Sequence, residues 1–306
     1  MEVSGRVPEI CVLMSTYNGE QYLREQLDSI FSQLDVAVSL IVRDDGSSDR
    51  TVSILQEYSR RHSVRIIEGG NLRPAQSFRE LVVQAPLSYD YYAYADQDDI
   101  WQSSKFITAV RMLDRAERDI PLLWYSGIVK YIGGKEAERW CCDPDRGNSL
   151  RTITKTFSST NGCTMVFNRE LLRVLKSCES GQIDMHDSWT HAMCLACGGQ
   201  VLCDPTPYVK YRIHEKQVLG NEKKSLKDAV RRFFRAKSLR SATIRTMLSS
   251  EYIEEEQKTY LKKLADYRSS ISARVYLISE VFRNDHPGMS GKEKIRFVIQ
   301  LLTNKF

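Results

Sequence analysis

The sequence predicts an α/β fold, a parallel sheet covered by helices, with a C-terminal helical extension. Three observations predict it. Short apolar runs alternate with amphipathic stretches through the first hundred residues, polar clusters follow several of those runs directly, and the charge changes sign after residue 220. The 306 residues suit one large domain with an appendage, and 42% hydrophobic with 27% charged residues exclude a disordered or fibrous chain.

Ile10–Ser15 is too short for a helix and ends in small polar residues, so it reads as a buried strand. From Glu20 to Gln33, Leu23, Leu27, Ile30 and Phe31 share one helical face, with Leu34 just beyond. Val36–Arg43 is a second strand. It runs into Asp44-Asp45-Gly46-Ser47-Ser48-Asp49, which supplies turn and cap residues for a helix from about Thr51 to Arg61. Val64–Ile67 is a third strand, Asn71–Pro74 a loop, and Phe78, Leu81 and Val82 mark the next helix. Tyr91–Ala95 is a fourth strand, ending at Asp96-Gln97-Asp98-Asp99. Further on, Leu122–Tyr131, Cys163–Phe167, Val201–Cys203 and Tyr208–Ile213 read as strands and Asp187–Cys197 as a helix.

Charge divides the chain. Nineteen Lys and Arg against ten acids after residue 220 leave that segment at +9 and the first 220 residues at −4. Nine of those cations lie between Lys223 and Arg245, interleaved with Leu226, Val230, Phe233, Phe234 and Leu239. Such a helix suits an anionic membrane surface, or packs its apolar stripe on the first 220 residues or on a second subunit of a homodimer. Ile295, Val298, Ile299 and Leu302 form another apolar stripe. No apolar run approaches the roughly 20 residues of a membrane span. No signal peptide opens the chain, so the eight cysteines are expected to be reduced cytosolic thiols.

In open parallel sheets, ligands sit outside the carboxyl ends of the strands. Ser15–Gly19, Asp44–Asp49 and Asp96–Asp99 therefore gather at one rim. Asp96, Asp98 and Asp99 repel one another unless a cation compensates, and a hard divalent ion with phosphate oxygens does so. The plainer alternative is a solvated acidic turn before a helix near Ser104. Asp44 and Asp45 either hold a nucleoside or cap the next helix. Thr16, Tyr17, Asn18 and Gly19 offer a stacking face and backbone amides, or a plain turn.

Taken together these segments resemble glycosyltransferase family 2. Met14-Ser15-Thr16-Tyr17-Asn18-Gly19 is similar to the family's opening, Arg43–Asp49 to its second nucleotide-binding segment, and Asp96-Gln97-Asp98-Asp99-Ile100-Trp101 to its metal motif. Asn161-Gly162-Cys163-Thr164-Met165, His186-Asp187-Ser188-Trp189, and Tyr211-Arg212-Ile213-His214 followed by Gly220 resemble its later segments. The D-Q-D-D-x-W and H-D-x-W forms particularly resemble bacterial rhamnosyltransferases of cell-wall and surface polysaccharide assembly. One departure is Arg73-Pro74, where the family usually has glycine.

The resemblance implies a GT-A fold, a Rossmann-like mixed sheet covered by helices, with a catalytic domain over residues 1–220 and a basic helical region over 221–306. It implies inverting transfer of a sugar, L-rhamnose from dTDP-L-rhamnose, to a hydroxyl of a lipid-linked glycan, or the same chemistry with a UDP-hexose. Asp187 is the implied catalytic base, buttressed by His186. Asp98 and His214 are the implied ligands of Mg²⁺ or Mn²⁺. Thr16, Tyr17, Asn18, Asp44, Asp45, Arg73, Asp96 and Gln97 hold the nucleotide sugar. Trp101, Asn161, Gly162, His186 and Trp189 stand on the acceptor side. The expected location is the cytoplasm, peripheral on the inner face of the plasma membrane.

Competing readings of other residues are weaker. Nucleic-acid binding through the basic tail leaves the acidic rim unexplained. His191, Cys194, Cys197 and Cys203 have the residue types of a zinc set but read as packed core. Tyr89, Tyr91, Tyr92 and Tyr94 read as strand packing rather than a stacking platform.

Overall fold

The computed structural model describes residues 6–156, 160–179, 181–214, 239–283 and 288–306. Its first half is β1 (Glu9–Thr16), α1 (Leu23–Phe31), β2 (Ala37–Asp44), α2 (Thr51–Ser59), β3 (Val64–Glu68), α3 (Arg73–Gln84) and β4 (Tyr91–Ala95). These strands run parallel in the order β3-β2-β1-β4. Thr16 lies beside Asp44, and Met14 beside Ala95, so the strands' carboxyl ends are level. That register puts the three polar clusters on one rim.

The alternation along β1 builds a core on each face of the sheet. Ile10, Val12 and Met14 pack with Leu23, Leu27, Ile54, Leu55 and Phe106, whereas Cys11 and Leu13 pack with Phe78, Leu81 and Val82. Each large side chain fully buried this way contributes roughly 1.5–3 kcal/mol.

The second half is β5 (Ile100–Trp101), α4 (Lys105–Leu113), β6 (Leu122–Ile132), β7 (Lys135–Trp140), α5 (Pro144–Gly147), α6 (Leu150–Thr156), a 3₁₀ turn (Gly162–Thr164), β8 (Val166–Asn168), α7 (Arg169–Lys176), α8 (His186–Ala196) and β9 (Gln200–Ile213). The sheet becomes mixed here, since β8 pairs antiparallel with both β4 and β6. The two short strands expected over 201–213 are one strand. β6 pairs with β9 along its whole length, and register shifts beside Ser126 and Gly127 accommodate Pro205 and Pro207.

Beyond the sheet lie α9 (Arg240–Leu248), α10 (Glu255–Asp266), α11 (Ile271–Arg283) and α12 (Gly291–Leu302). Ser290 and Glu293 close a reciprocal capping box at the start of α12. Leu261, Leu277 and Phe297 from these helices join the core that holds Phe78 and Tyr94. Lys155 reaches Glu280 at 2.5 Å in a buried ion pair, and Arg146 reaches Glu293 at 2.6 Å. The basic stretch expected over 223–237, and Gly220, lie outside the described residues.

One expectation is corrected. Cys142 and Cys203 are joined by a disulfide, so the eight cysteines are not all thiols. Tertiary structure brings them together across 61 residues of sequence. Cys203 lies opposite Tyr125 on β6, and β7 returns along the same strand to place Trp140 opposite Ile128. Gly127 permits the approach, because a Cβ there would lie 2.7 Å from the Pro205 carbonyl and 2.8 Å from that of Trp140.

Candidate active site

One side of the rim is a network spanning the ends of β1 and β2. Thr16 Oγ1 donates to Asp44 Oδ2 at 2.8 Å, while Asp44 Oδ1 accepts from the Gly46 and Ser47 amides at 3.1 and 2.8 Å. Asp44 is thus buried and committed to shaping the loop. Asp45 forms a buried ion pair with Arg43 and accepts from the Leu72 amide at 3.1 Å. Asn18 has φ +48° and accepts from the Ser48 amide at 2.8 Å, locking the first cluster to the second. Gln97 accepts from the Tyr17 amide at 2.9 Å and donates to the Tyr17 carbonyl at 3.1 Å, joining the first cluster to the third. The Tyr17 ring and Arg73 are left exposed at this rim.

The end of β9 closes against the acidic turn after β4. His214 Nε2 stands 2.7 Å from Asp98 Oδ2. Arg212 sets this contact up. Its amide donates to Asp99 Oδ1 at 3.1 Å, and its Nε donates to the Asp98 carbonyl at 2.8 Å. Its guanidinium also pairs with Glu25 and covers the Tyr22 ring at 4.4 Å. Tyr22 in turn packs 5.0 Å from the His214 ring.

Beneath this turn lies a second acidic group. Ligand atoms of Asp96, Asp99 and Cys163 lie within 4.8 Å of one another, with Asp99 and Cys163 fully buried. Burial, then the charges of Asp98 and Asp187, raise the Asp96 pKa. Burial also raises Asp99, reinforced by Asp98 and Asp96. Lys105 is the buried basic residue of this group. It is fully buried, donates to the Cys163 carbonyl at 2.6 Å and lies 3.2 Å from the centroid of a Trp101 ring. Burial pushes its pKa down to about 7, against the pull of Asp99 and Asp96.

Asp187 opens α8. Its Oδ1 accepts from the Ser188 amide at 2.6 Å, and the Gly162 amide also hydrogen-bonds the carboxylate. Burial pushes its pKa up to about 6, with those hydrogen bonds opposing the shift. The carboxylate therefore remains ionised at neutral pH yet is basic enough to accept a proton. Gly162 is required there: a Cβ would lie 2.2 Å from His186 Nε2. His186 stacks on Phe78 at 3.8 Å, and burial pushes its pKa down to about 3, so the ring is a neutral wedge behind Asp187.

The structure therefore gathers Asp96, Asp98, Asp187 and His214 in one electrostatic neighbourhood and joins Asp44 and Asp45 to it through β1. It places Trp101, Trp189 and His186 in the core behind the rim, and leaves Asn161 partly exposed beside Gly162. Lys105 and Arg212 have no role assigned from sequence. Lys105 carries a signal all the same, because a cation at the first position of a helix opposes the helix dipole.

The zinc alternative loses three of its four donors, leaving Cys197 as a free thiol. Cys203 is in the disulfide, His191 bonds the Gly147 carbonyl at 2.7 Å, and Cys194 bonds the Pro121 and Gln200 carbonyls at 3.6 Å. Tyr91, Tyr92 and Tyr94 spend their hydroxyls on Asp114, the Pro86 carbonyl and Thr190.

Residues 11–175 match the family model of glycosyl transferase family 2. The chain belongs to that family. Among its relatives, dTDP-rhamnosyl transferase RfbG of Shigella flexneri is 28% identical over 221 residues, covering 68% of this chain and 73% of that protein. An uncharacterized glycosyltransferase of Haemophilus influenzae is 27% identical over 222 residues, covering 69% and 67%. Among solved structures, S. aureus TarS 1–349 in complex with UDP-GlcNAc aligns over 96% of this chain and 81% of that chain, with TM-score 0.56 and 17% identity. Mannosyltransferase PcManGT from Pyrobaculum calidifontis, in complex with GDP-Man and Mn²⁺, aligns over 98% and 86%, with TM-score 0.52 and 17% identity. The fold of this family 2 glycosyltransferase is GT-A, with helices added at its C-terminal side. Among its described residues no helix is long and apolar enough to cross a membrane.

Proposed function

We propose that this glycosyltransferase moves L-rhamnose from dTDP-L-rhamnose to a hydroxyl of a lipid-linked glycan, with inversion, in the assembly of a cell-wall or surface polysaccharide. One observation carries the catalytic part: the Asp96 carboxylate feels both Asp187, whose pKa burial pushes up to about 6, and Asp98, the partner of His214. A single displacement needs a base on one side of the sugar and charge compensation on the other. The rhamnosyl donor is supported by the name of the Shigella relative.

Asp98 and His214 fit a divalent ion, since a carboxylate and an imidazole in hydrogen-bond contact offer oxygen and nitrogen donors that suit Mn²⁺ or Mg²⁺. When bound, the ion offsets charge gained by the leaving diphosphate. The chain's own residues do the rest. Asp187 accepts the proton of the acceptor hydroxyl, held toward it by the Gly162 and Ser188 amides. Asp45, Tyr17 and Arg73 hold the nucleoside, and Asp96 meets the ribose. Lys105 ties down the Cys163 carbonyl beneath the acidic turn.

A nucleotide-release screen tests this reading, with dTDP-rhamnose beside UDP-glucose, UDP-galactose and UDP-N-acetylhexosamines, each with Mg²⁺ or Mn²⁺. Preferential turnover of dTDP-rhamnose supports it. Preference for a UDP-hexose replaces the donor while keeping the chemistry.

A further inference from the structure

The five most exposed large apolar side chains among the described residues all lie on α11 and α12: Ile271 at 80%, Phe282 at 66%, Val275 at 60%, Ile295 at 59% and Leu302 at 59%. Their spacing is helical. Ile271, Val275 and Phe282 follow one stripe of α11, with Ile278 between them half-buried against the core, and Ile295, Ile299 and Leu302 follow one stripe of α12. Both helices bury their opposite faces, through Leu277 and Val281 and through Phe297 and Leu301. The stripes are therefore outer surfaces of packed helices.

Charge on these helices is sorted by side. Their two acids are both engaged with the body of the protein: Glu280 pairs with Lys155 and Arg151, and Glu293 pairs with Arg146. The exposed charged residues are all cations: Arg283 at the end of α11, and Lys292 and Arg296 beside the α12 stripe. Apolar stripes bordered by cations, with no exposed acid among the described residues of the two helices, match the boundary between anionic headgroups and acyl chains. A symmetric contact with a second copy would set these cations against their own images.

We propose that the outer faces of α11 and α12 dock this protein on an anionic lipid bilayer, with both helices lying on the interface. The proposal rests on the functional reading only for its purpose, which is to hold the enzyme at a lipid-carried acceptor. The surface itself rests on the exposure and charge described above.

Flotation of the full chain with vesicles decides it. Wild type should float with phosphatidylglycerol vesicles, stay behind with phosphatidylcholine alone, and be released several-fold as salt rises from about 0.05 to about 0.5 M. Substituting Val275→Ser, Phe282→Ser and Ile299→Ser together should cut partitioning about tenfold or more, and Lys292→Ser with Arg296→Ser should cut it several-fold. Cations within 223–237 act alike in wild type and variants, so the difference reports α11 and α12.

Unchanged melting of these variants, and unchanged turnover of a water-soluble acceptor, separate this proposal from the catalytic one. Equal recovery on neutral and anionic vesicles would overturn it, as would variants that bind like wild type. Concentration-dependent dimers abolished by the same substitutions would also overturn it. Should the triple variant fail to fold, Phe282→Ser and Ile299→Ser made singly, each at an exposed position, carry the same comparison.

Discussion

His214 and Asp98 meet at 2.7 Å although 116 residues separate them. Arg212 produces the meeting, because its backbone and side chain both bond the turn that carries Asp98. The last residues of β9 therefore complete a site begun at the end of β4.

Asp187→Asn should leave donor affinity nearly unchanged and lower kcat by about 10²–10⁴-fold, the usual worth of a positioned base. The base acts ionised, so wild-type kcat/KM should climb as pH rises through about 6 and level off above it. Steady-state rates from pH 5 to pH 8, beside donor calorimetry, check both points. Full activity in the variant removes Asp187 from this role.

Lys105→Met should destabilise the fold by about 1–3 kcal/mol, since it leaves the buried Cys163 carbonyl without its donor. Its folded pKa lies below its ordinary value of 10.5, so the unfolded chain binds more protons here between about pH 7 and that value. This side chain therefore adds stability as pH rises over that interval, and the variant lacks the increment. Urea melts at the two ends of the interval should show wild type gaining more than the variant.

Arg73 begins α3 with φ +66°, a conformation that costs a residue bearing a Cβ about 1 kcal/mol. Arg73→Gly should melt at the same temperature or slightly higher. Its donor KM should rise several-fold, because an exposed guanidinium leaves the nucleotide side of the rim. An unchanged KM would mean that Arg73 does not reach the donor.

Thiol titration of the denatured, unreduced protein should count six thiols, matching the six free cysteines. Eight would mean that Cys142 and Cys203 are unpaired in the protein as isolated.

The parallel half of the fold is legible in the sequence because each strand there is an apolar run closed by a polar turn, and local pattern is sufficient. The rim residues follow from that order. The later strands are less legible. β7, over Lys135–Trp140, is exposed throughout and has no apolar alternation, so only pairing with β6 reveals it. β5 has two residues and exists because β9 passes beside it. The Cys142–Cys203 pairing depends on a bulged register that spacing alone does not show. Trp101 and Trp189 sit in the D-Q-D-D-x-W and H-D-x-W segments, yet both are buried and support the rim from behind. Sequence identifies the motif, and packing decides which of its residues meet a ligand.

The most direct test is calorimetric titration of dTDP-L-rhamnose with and without Mn²⁺, on wild type, Asp98→Ala and His214→Ala. Wild type should bind the donor tightly only with the ion, and each variant should lose about 10- to 100-fold of that enhancement. Equal enhancement in all three proteins would contradict a metal held by Asp98 and His214.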